Sequence, residues 1–186
     1  MAEPTYRYAT HHDAEAVRAL IELAYRGPES AKGWASEAGI LTGPRTSLAE
    51  VDELIAQPDT RFLLAEHDGD LVGCVLIEKH GEDGYFGMFS IDPRVQTGGL
   101  GGALLAQAED AARDLWDARG MTAVVINLRD NLIAWYERRG YTLTGRTEPF
   151  PFHQHSGALR TDFHLVELRK GFEDHRGGAV RPSGCA

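Results

Sequence analysis

A run of glycines where a strand gives way to a helix is a natural place to hold phosphate. This chain has one in Phe89-Ser90-Ile91-Asp92-Pro93-Arg94-Val95-Gln96-Thr97-Gly98-Gly99-Leu100-Gly101-Gly102-Ala103-Leu104-Leu105. Glycine lets the backbone take dihedrals closed to other residues and approach a ligand closely. The first N–H groups of the following helix have no intrahelical acceptor, and the helix dipole adds partial positive charge there. Together these form a phosphate cradle. A nucleoside-triphosphate loop needs Lys and Ser/Thr after its glycines, and Gly101-Gly102-Ala103 has neither. A dinucleotide fingerprint needs a third glycine where Leu104 stands, and it usually follows the first strand of a parallel sheet. A turn with no ligand is the other reading, but glycines at a helix start are costly unless the backbone must be bare.

The second informative segment is Asn131-Leu132-Ile133-Ala134-Trp135-Tyr136-Glu137-Arg138-Arg139-Gly140-Tyr141, a short helix stopped by a glycine. Taken with Gln96-Thr97-Gly98-Gly99-Leu100-Gly101, it makes the chain resemble the GNAT superfamily of acyl-CoA-dependent N-acetyltransferases. The first segment is similar to that family's Gln/Arg-x-x-Gly-x-Gly/Ala signature, the second to its Asn…Ala…Tyr-Glu…Gly-Phe/Tyr segment. The resemblance covers about residues 5–170.

The resemblance implies acetyl-CoA as co-substrate and direct attack by a primary amine, with an acceptor that is a small molecule. Gln96, Thr97, Gly98, Gly99, Leu100, Gly101 and Gly102 would wrap the pyrophosphate of coenzyme A. Phe89 and Ile91 would pair their backbone with the pantetheine arm. A bulge in that strand would aim the Ile91 N–H at the thioester carbonyl, where an oxyanion develops. Asn131 would hydrogen-bond the cofactor arm, a role compatible with capping its own helix, and Tyr136 would protonate the departing thiolate. A purely structural, buried role is the alternative for Tyr136, and core packing is expected for Trp135, Tyr141 and Leu104. A protein N-terminal or lysine acetyltransferase and a non-catalytic CoA-binding sensor are the competing functions.

The acceptor amine must be neutral to attack, yet near pKa 10 it is mostly protonated at pH 7. Family members often carry a carboxylate on the strand before the glycines; Tyr85-Phe86-Gly87-Met88-Phe89-Ser90-Ile91 has none. Glu78 and His80, near the end of the neighbouring strand, are candidates for the proton acceptor or else ordinary surface residues. Trp34 and Glu37 lie in a Gly/Pro-punctuated insert, about residues 27–44, where family members differ in substrate. Glu37 could hold the acceptor's ammonium or simply be solvated. His153 and His155 belong to an aromatic loop suited to lining a substrate, with no third ligand to suggest a metal. His11 and His12 read as surface residues.

These residues must be positioned by an alternation of short elements. Thr5–Ala9 reads as a strand, and Val17, Leu20, Ile21 and Ala24 follow helical spacing. Ser47-Leu48-Ala49-Glu50 is a capping box opening a helix that ends before Pro58. Strands follow at 61–67, 71–79 and 85–92, the first two joined by the Asp68-Gly69-Asp70 turn. The glycine-led helix carries Leu100, Leu104, Ala108, Ala111 and Leu115 on one face. Strands at 121–128, 141–146 and 163–168 and a helix at 131–139 complete the order. Hairpins followed by one βαβ unit predict an α/β (α+β) fold with a mixed, mostly antiparallel sheet flanked by helices. One domain over 1–170 is expected, with 171–186 a disordered tail.

The chain has 186 residues and net charge −9, from 19 Lys plus Arg against 28 Asp plus Glu. That balance excludes nucleic acid as main ligand and suits a cationic or amine partner. No apolar run or leader suggests a membrane or secretion, and Cys74, in an apolar strand, is expected to be a buried, inert thiol. Cys185 lies in the polar tail, so a bridge between the two is not expected. A cytoplasmic location is expected, and an apolar last strand could pair between subunits of a homodimer.

Overall fold

The computed structural model describes residues 3–28, 30, 36–37, 39–95, 98–152 and 157–173. Its elements are β1 (Thr5–Tyr8), α1 (Ala14–Arg26), α2 (Leu48–Ala56), β2 (Thr60–His67), β3 (Asp70–His80) and β4 (Asp83–Ile91). They continue with α3 (Leu100–Trp116), β5 (Gly120–Ile126), α4 (Asp130–Glu137), β6 (Thr142–Pro149) and β7 (His164–Gly171). A single turn of 3-10 helix, His11–Asp13, leads into α1.

Seven strands form one sheet in the order β1-β2-β3-β4-β5-β7-β6, antiparallel everywhere except between β4 and β5. Both faces are covered, which explains why β2 and β3 read as unbroken apolar runs. Along β2, Leu63 and Ala65 pack with α3 and α4, while Phe62 and Leu64 pack with α1 and α2. Along β3, Val75 and Ile77 face the first layer, and Cys74 and Leu76 the second. Cys74 is fully buried, and loss of solvent pushes its thiol up to about 12, so it stays protonated.

Ser47 caps α2 by accepting from the Glu50 N–H at 3.1 Å, but the Glu50 carboxylate takes the Thr46 hydroxyl instead of closing the box. Leu115 departs from the expected stripe on α3. It is 38% exposed, and Ala112, one position on from Ala111, takes the buried place. Strand β7 lies between β5 and β6, with both edges paired, so it offers no edge to a second subunit. Residues 171 and 172, expected to belong to a tail, are part of the fold: Gly171 pairs with Gly120, and Phe172 packs under the Arg113 guanidinium at 3.8 Å. Residues 174–186, with Cys185, are outside the described residues.

Two irregularities shape the middle of the sheet. Strands β4 and β5 pair only at Gly84 with Met121 and at Tyr85 with Thr122, then diverge. On the other edge of β4, Met88 and Phe89 together stand opposite Val75, because Gly87 pairs with Leu76 and Ser90 with Cys74. Met88 takes φ +48 to make this bulge. A bulge increases local twist and bends its strand, which fits the parting of β4 from β5.

Candidate active site

The parted strands leave a cavity of about 690 Å³ in the middle of the sheet. Phe86 to Phe89 of β4 and Ala123 to Ile126 of β5 form its two sides. Tyr25 closes the end toward α1, donating its hydroxyl to the Phe89 carbonyl at 3.3 Å. Just past the end of β4 the Asp92 N–H donates to the Val72 carbonyl at 2.9 Å. Strand alternation therefore turns the N–H of Ile91 the other way, toward the opening. The Ile91 side chain itself is buried in the core.

The cradle begins just beyond β4. The Asp92 carboxylate accepts from both the backbone and the guanidinium of Arg94, at 2.9 Å and 2.5 Å, fixing the turn after the strand. Gly98 and Gly99 have φ +96 and +82, a region that favours glycine. Gly99 occupies the N-cap of α3 with no side chain to cap it, and the first turn holds no acidic residue. The first N–H groups of this 17-residue helix thus lack an internal acceptor or a capping carboxylate, as a bound diphosphate requires. Arg139 brings positive charge: a Cβ on Gly102 would meet its guanidinium at 3.3 Å, and that guanidinium lies 3.5 Å over the Trp135 ring. Gln96 and Thr97 fall outside the described residues.

Tyr136 stands on the cavity wall, 3% exposed. Its ring is wedged between Phe86 at 5.5 Å, Trp135 at 5.1 Å and Tyr141 at 5.7 Å. Among the described residues its hydroxyl makes no hydrogen bond, a rare condition for a buried polar group. Burial raises its pKa above the ordinary 10, so the phenol keeps its proton. Tyr141 and Leu104 are core residues, while Trp135 is only partly buried. Tyr141 donates to the buried Glu109 carboxylate at 2.9 Å, which Lys170 neutralises at 2.7 Å.

The insert and the aromatic loop form a roof. Arg26, at the end of α1, donates to the Glu37 carboxylate at 2.7 Å and to the Gly43 carbonyl at 2.9 Å. Glu22 accepts from the Arg45 and Thr46 N–H groups at 2.5 Å and 2.9 Å, pinning the far end. Leu41 bridges to Ala158, and the Thr42 N–H donates to the Gly157 carbonyl at 2.6 Å. Phe150, Phe152 and Phe163 stack behind this seam at 4.8–5.1 Å. Glu37 is therefore buried on the cavity wall rather than solvated. Trp34, His153 and His155 fall outside the described residues.

Glu78 and Asn131 are placed elsewhere. Glu78 lies opposite Tyr85 on the neighbouring strand and approaches His80 at 3.3 Å; His80 in turn stacks on Tyr85 at 4.9 Å. Tyr85 reaches the cavity wall and Glu78 does not. Burial first, then Glu78, pushes the Tyr85 phenol up to about 12. Asn131 is exposed in the first turn of α4, whose N-cap is Arg129. Tyr25 and Arg45 were not singled out by sequence. No group of three or more His, Cys, Asp or Glu that could hold a metal occurs among the described residues.

Sequence comparison matches residues 16–141 to the acetyltransferase (GNAT) family. An "IAA acetyltransferase" of Azospirillum brasilense is 31% identical over 103 residues, which span 53% of this chain and 65% of that relative. The crystal structure of nourseothricin acetyltransferase superposes with TM-score 0.64 at 23% identity, over 91% of this chain and 99% of the other. N-acetylglutamate synthase from Neisseria gonorrhoeae, solved with coenzyme A and N-acetyl-glutamate, superposes with TM-score 0.63 at 23% identity. That match covers 93% of this chain but 36% of the synthase. At such identities the likeness is one of fold.

Proposed function

The chain belongs to the acetyltransferase (GNAT) family, and on that premise we propose that it moves an acetyl group from acetyl-CoA to a small primary amine. The observation carrying this reading is the buried, protonated Tyr136 hydroxyl, unpartnered among the described residues, on the wall of a cavity between parted strands. Gly98 to Gly102, with Arg139 above them, would hold the diphosphate, and the β4 edge from Phe89 to Ile91 the pantetheine arm. Asn131, in the first turn of α4, would bind that arm from the solvent side. The Ile91 N–H would steady the developing oxyanion while Tyr136 supplies the proton that the departing thiolate takes.

An amine bound as ammonium must first lose a proton. In this reading it leaves past the Tyr85 hydroxyl, through water, to Glu78 and His80 behind that ring. The seam between insert and aromatic loop roofs the cavity, which favours a small acceptor over a protein side chain or terminus.

The test is thiol release from acetyl-CoA with a panel of amines, alongside calorimetry of cofactor binding. Tyr136→Phe should lower kcat by about 100-fold, the scale of general acid catalysis, while acetyl-CoA affinity stays within about twofold. Equal turnover by the two proteins would remove the acid role. Failure of acetyl-CoA to bind the native chain would remove the whole reading.

A further inference from the structure

The sheet face that carries the cavity continues beyond it. Helices α1 and α2 pack on β2, β3 and β4, and the core cluster beneath them holds, among the described residues, none from β5, β6 or β7. Side chains two apart on a strand share a face. Met121 and Ala123 of β5 belong to the core under α3, so Thr122 and Val124 point the other way. Leu168 of β7 belongs to that core too, and Val166 packs on it, so Leu165 and Glu167 also point the other way. That face carries a trough in two halves. The cavity takes Tyr85, Val124 and Leu165, and a second hollow of about 440 Å³ takes Asp83, Thr122 and Glu167. Each of the second three is the next same-face neighbour of one of the first, on β4, β5 and β7 respectively. The change falls at the last pairing of β4 with β5, where Tyr85 stands opposite Thr122.

Two rings separate the halves. Tyr85 lines the cavity and His80 the second hollow, and they stack at 4.9 Å with their planes 14° apart. The Tyr85 ring lies along β4 over Gly87, where a Cβ would stand 3.2 Å from its Cε1 and from its hydroxyl oxygen. Glycine at 87 is therefore what leaves room for the ring on the cavity side, and the half-exposed His80 ring backs it from the other. Charge does not divide the trough. In the second hollow Asp83 accepts from Arg169 at 2.6 Å and 2.9 Å. Glu167 accepts from the Thr144 hydroxyl at 2.9 Å and lies 3.8 Å from Arg146. A lining paired in this way demands no particular charge of a ligand; the obstacle is the bulk of the stack.

We infer that the Tyr85–His80 stack is the end wall of the acceptor's place and sets how long an acceptor the chain takes. This rests on the acetyl-transfer reading above and adds a determinant of specificity to it. A rigid acceptor whose amine reaches the opening between β4 and β5 must end at Tyr85, and a longer one clashes with the ring. With the ring removed, the trough runs on over Thr122 and Glu167, and the longer acceptor lies along the uncovered strands. The ring does this by its bulk, whatever its hydroxyl does for the proton.

Two rigid amines of different length, benzylamine and 4-phenylbenzylamine, test this. Their Kd is measured by calorimetry on the chain with and without saturating coenzyme A, and their kcat/KM by thiol release from acetyl-CoA. The native chain should favour the short amine at least tenfold in both quantities. In Tyr85→Ala that ratio should fall toward one, chiefly because the long amine gains affinity. Tyr85→Phe, which keeps the ring, should keep the native ratio even if turnover of both amines drops. His80→Ala, a change at a half-exposed position, should lower the ratio at least threefold, and it decides the matter if Tyr85→Ala does not fold. A native chain that takes the long amine as well as the short, or a ratio that neither Tyr85→Ala nor His80→Ala alters, would overturn the inference and leave acetyl transfer standing. Failure of either amine to bind any of these proteins would overturn it too. If acetyl-CoA does not bind, the parent reading falls, and the amine affinities without cofactor still decide whether the stack is the wall.

Discussion

Tyr136 owes its chemical state to its neighbours. The rings around it exclude water, and exclusion of water penalises the phenolate, so the pKa lies above the ordinary 10. A proton donor with a raised pKa is fully loaded at every pH below that value. The rate should therefore rise with pH as the acceptor amine loses its proton, and should not fall again below about pH 10. The pH profile of kcat/KM for the best acceptor checks this. A descending limb centred below pH 9, present in the native chain and absent in Tyr136→Phe, would mean that the phenol ionises in the working range. Residues of this kind divide by how they can be read. The places of Tyr136 on the cavity wall and of Gly98-Gly99 ahead of α3 were legible because each lies within a single strand–helix joint. Arg45 and Tyr25 were not, because each becomes significant only when α1 and the insert fold over the same parted strands.

The elements were read more readily than their departures from regularity. Continuous apolar runs bounded by turn residues marked β2 and β3, and Gly140, at φ +90, closes α4 as its position suggests. The bulge at Met88-Phe89 carries no local signal of its location, since methionine is seldom found at positive φ and its cause lies in the pairing with β3. The roof was equally hidden: the insert and the aromatic loop are over 100 residues apart and meet at one close approach. A Cβ on Gly157 would stand 2.0 Å from the Thr42 carbonyl oxygen, so Gly157→Ala must push the two segments apart. Overpacking of this kind costs about 1–3 kcal/mol. The roof borders the cavity, where the acceptor would bind in the proposed reading, and not the glycine cradle. Gly157→Ala should accordingly raise the KM for the acceptor several-fold and leave acetyl-CoA affinity within about twofold, by steady-state kinetics and calorimetry. An unchanged acceptor KM would show that the seam does not shape the acceptor's place.

For the molecule as a whole, net charge and local charge pull in opposite directions. Acetyl-CoA is a polyanion, and a chain of net charge −9 repels it at long range. In the proposed reading the cradle would attract it through Arg139, the helix dipole and bare N–H groups, and these act only over a few ångströms. Salt separates the two ranges. The screening length falls from roughly 30 Å at about 0.01 M ionic strength to roughly 8 Å at about 0.15 M. Distant carboxylates are then hidden from the approaching diphosphate, while contacts inside the cradle, being close and partly desolvated, are weakened much less. The association rate of acetyl-CoA, followed by stopped-flow fluorescence of the Trp135 region, should rise between those two ionic strengths. A basic protein binding the same ligand would show a fall. A falling rate here would mean that the arginines at the cradle and along the wall, rather than the acidic surface, set the field the cofactor meets on its way in.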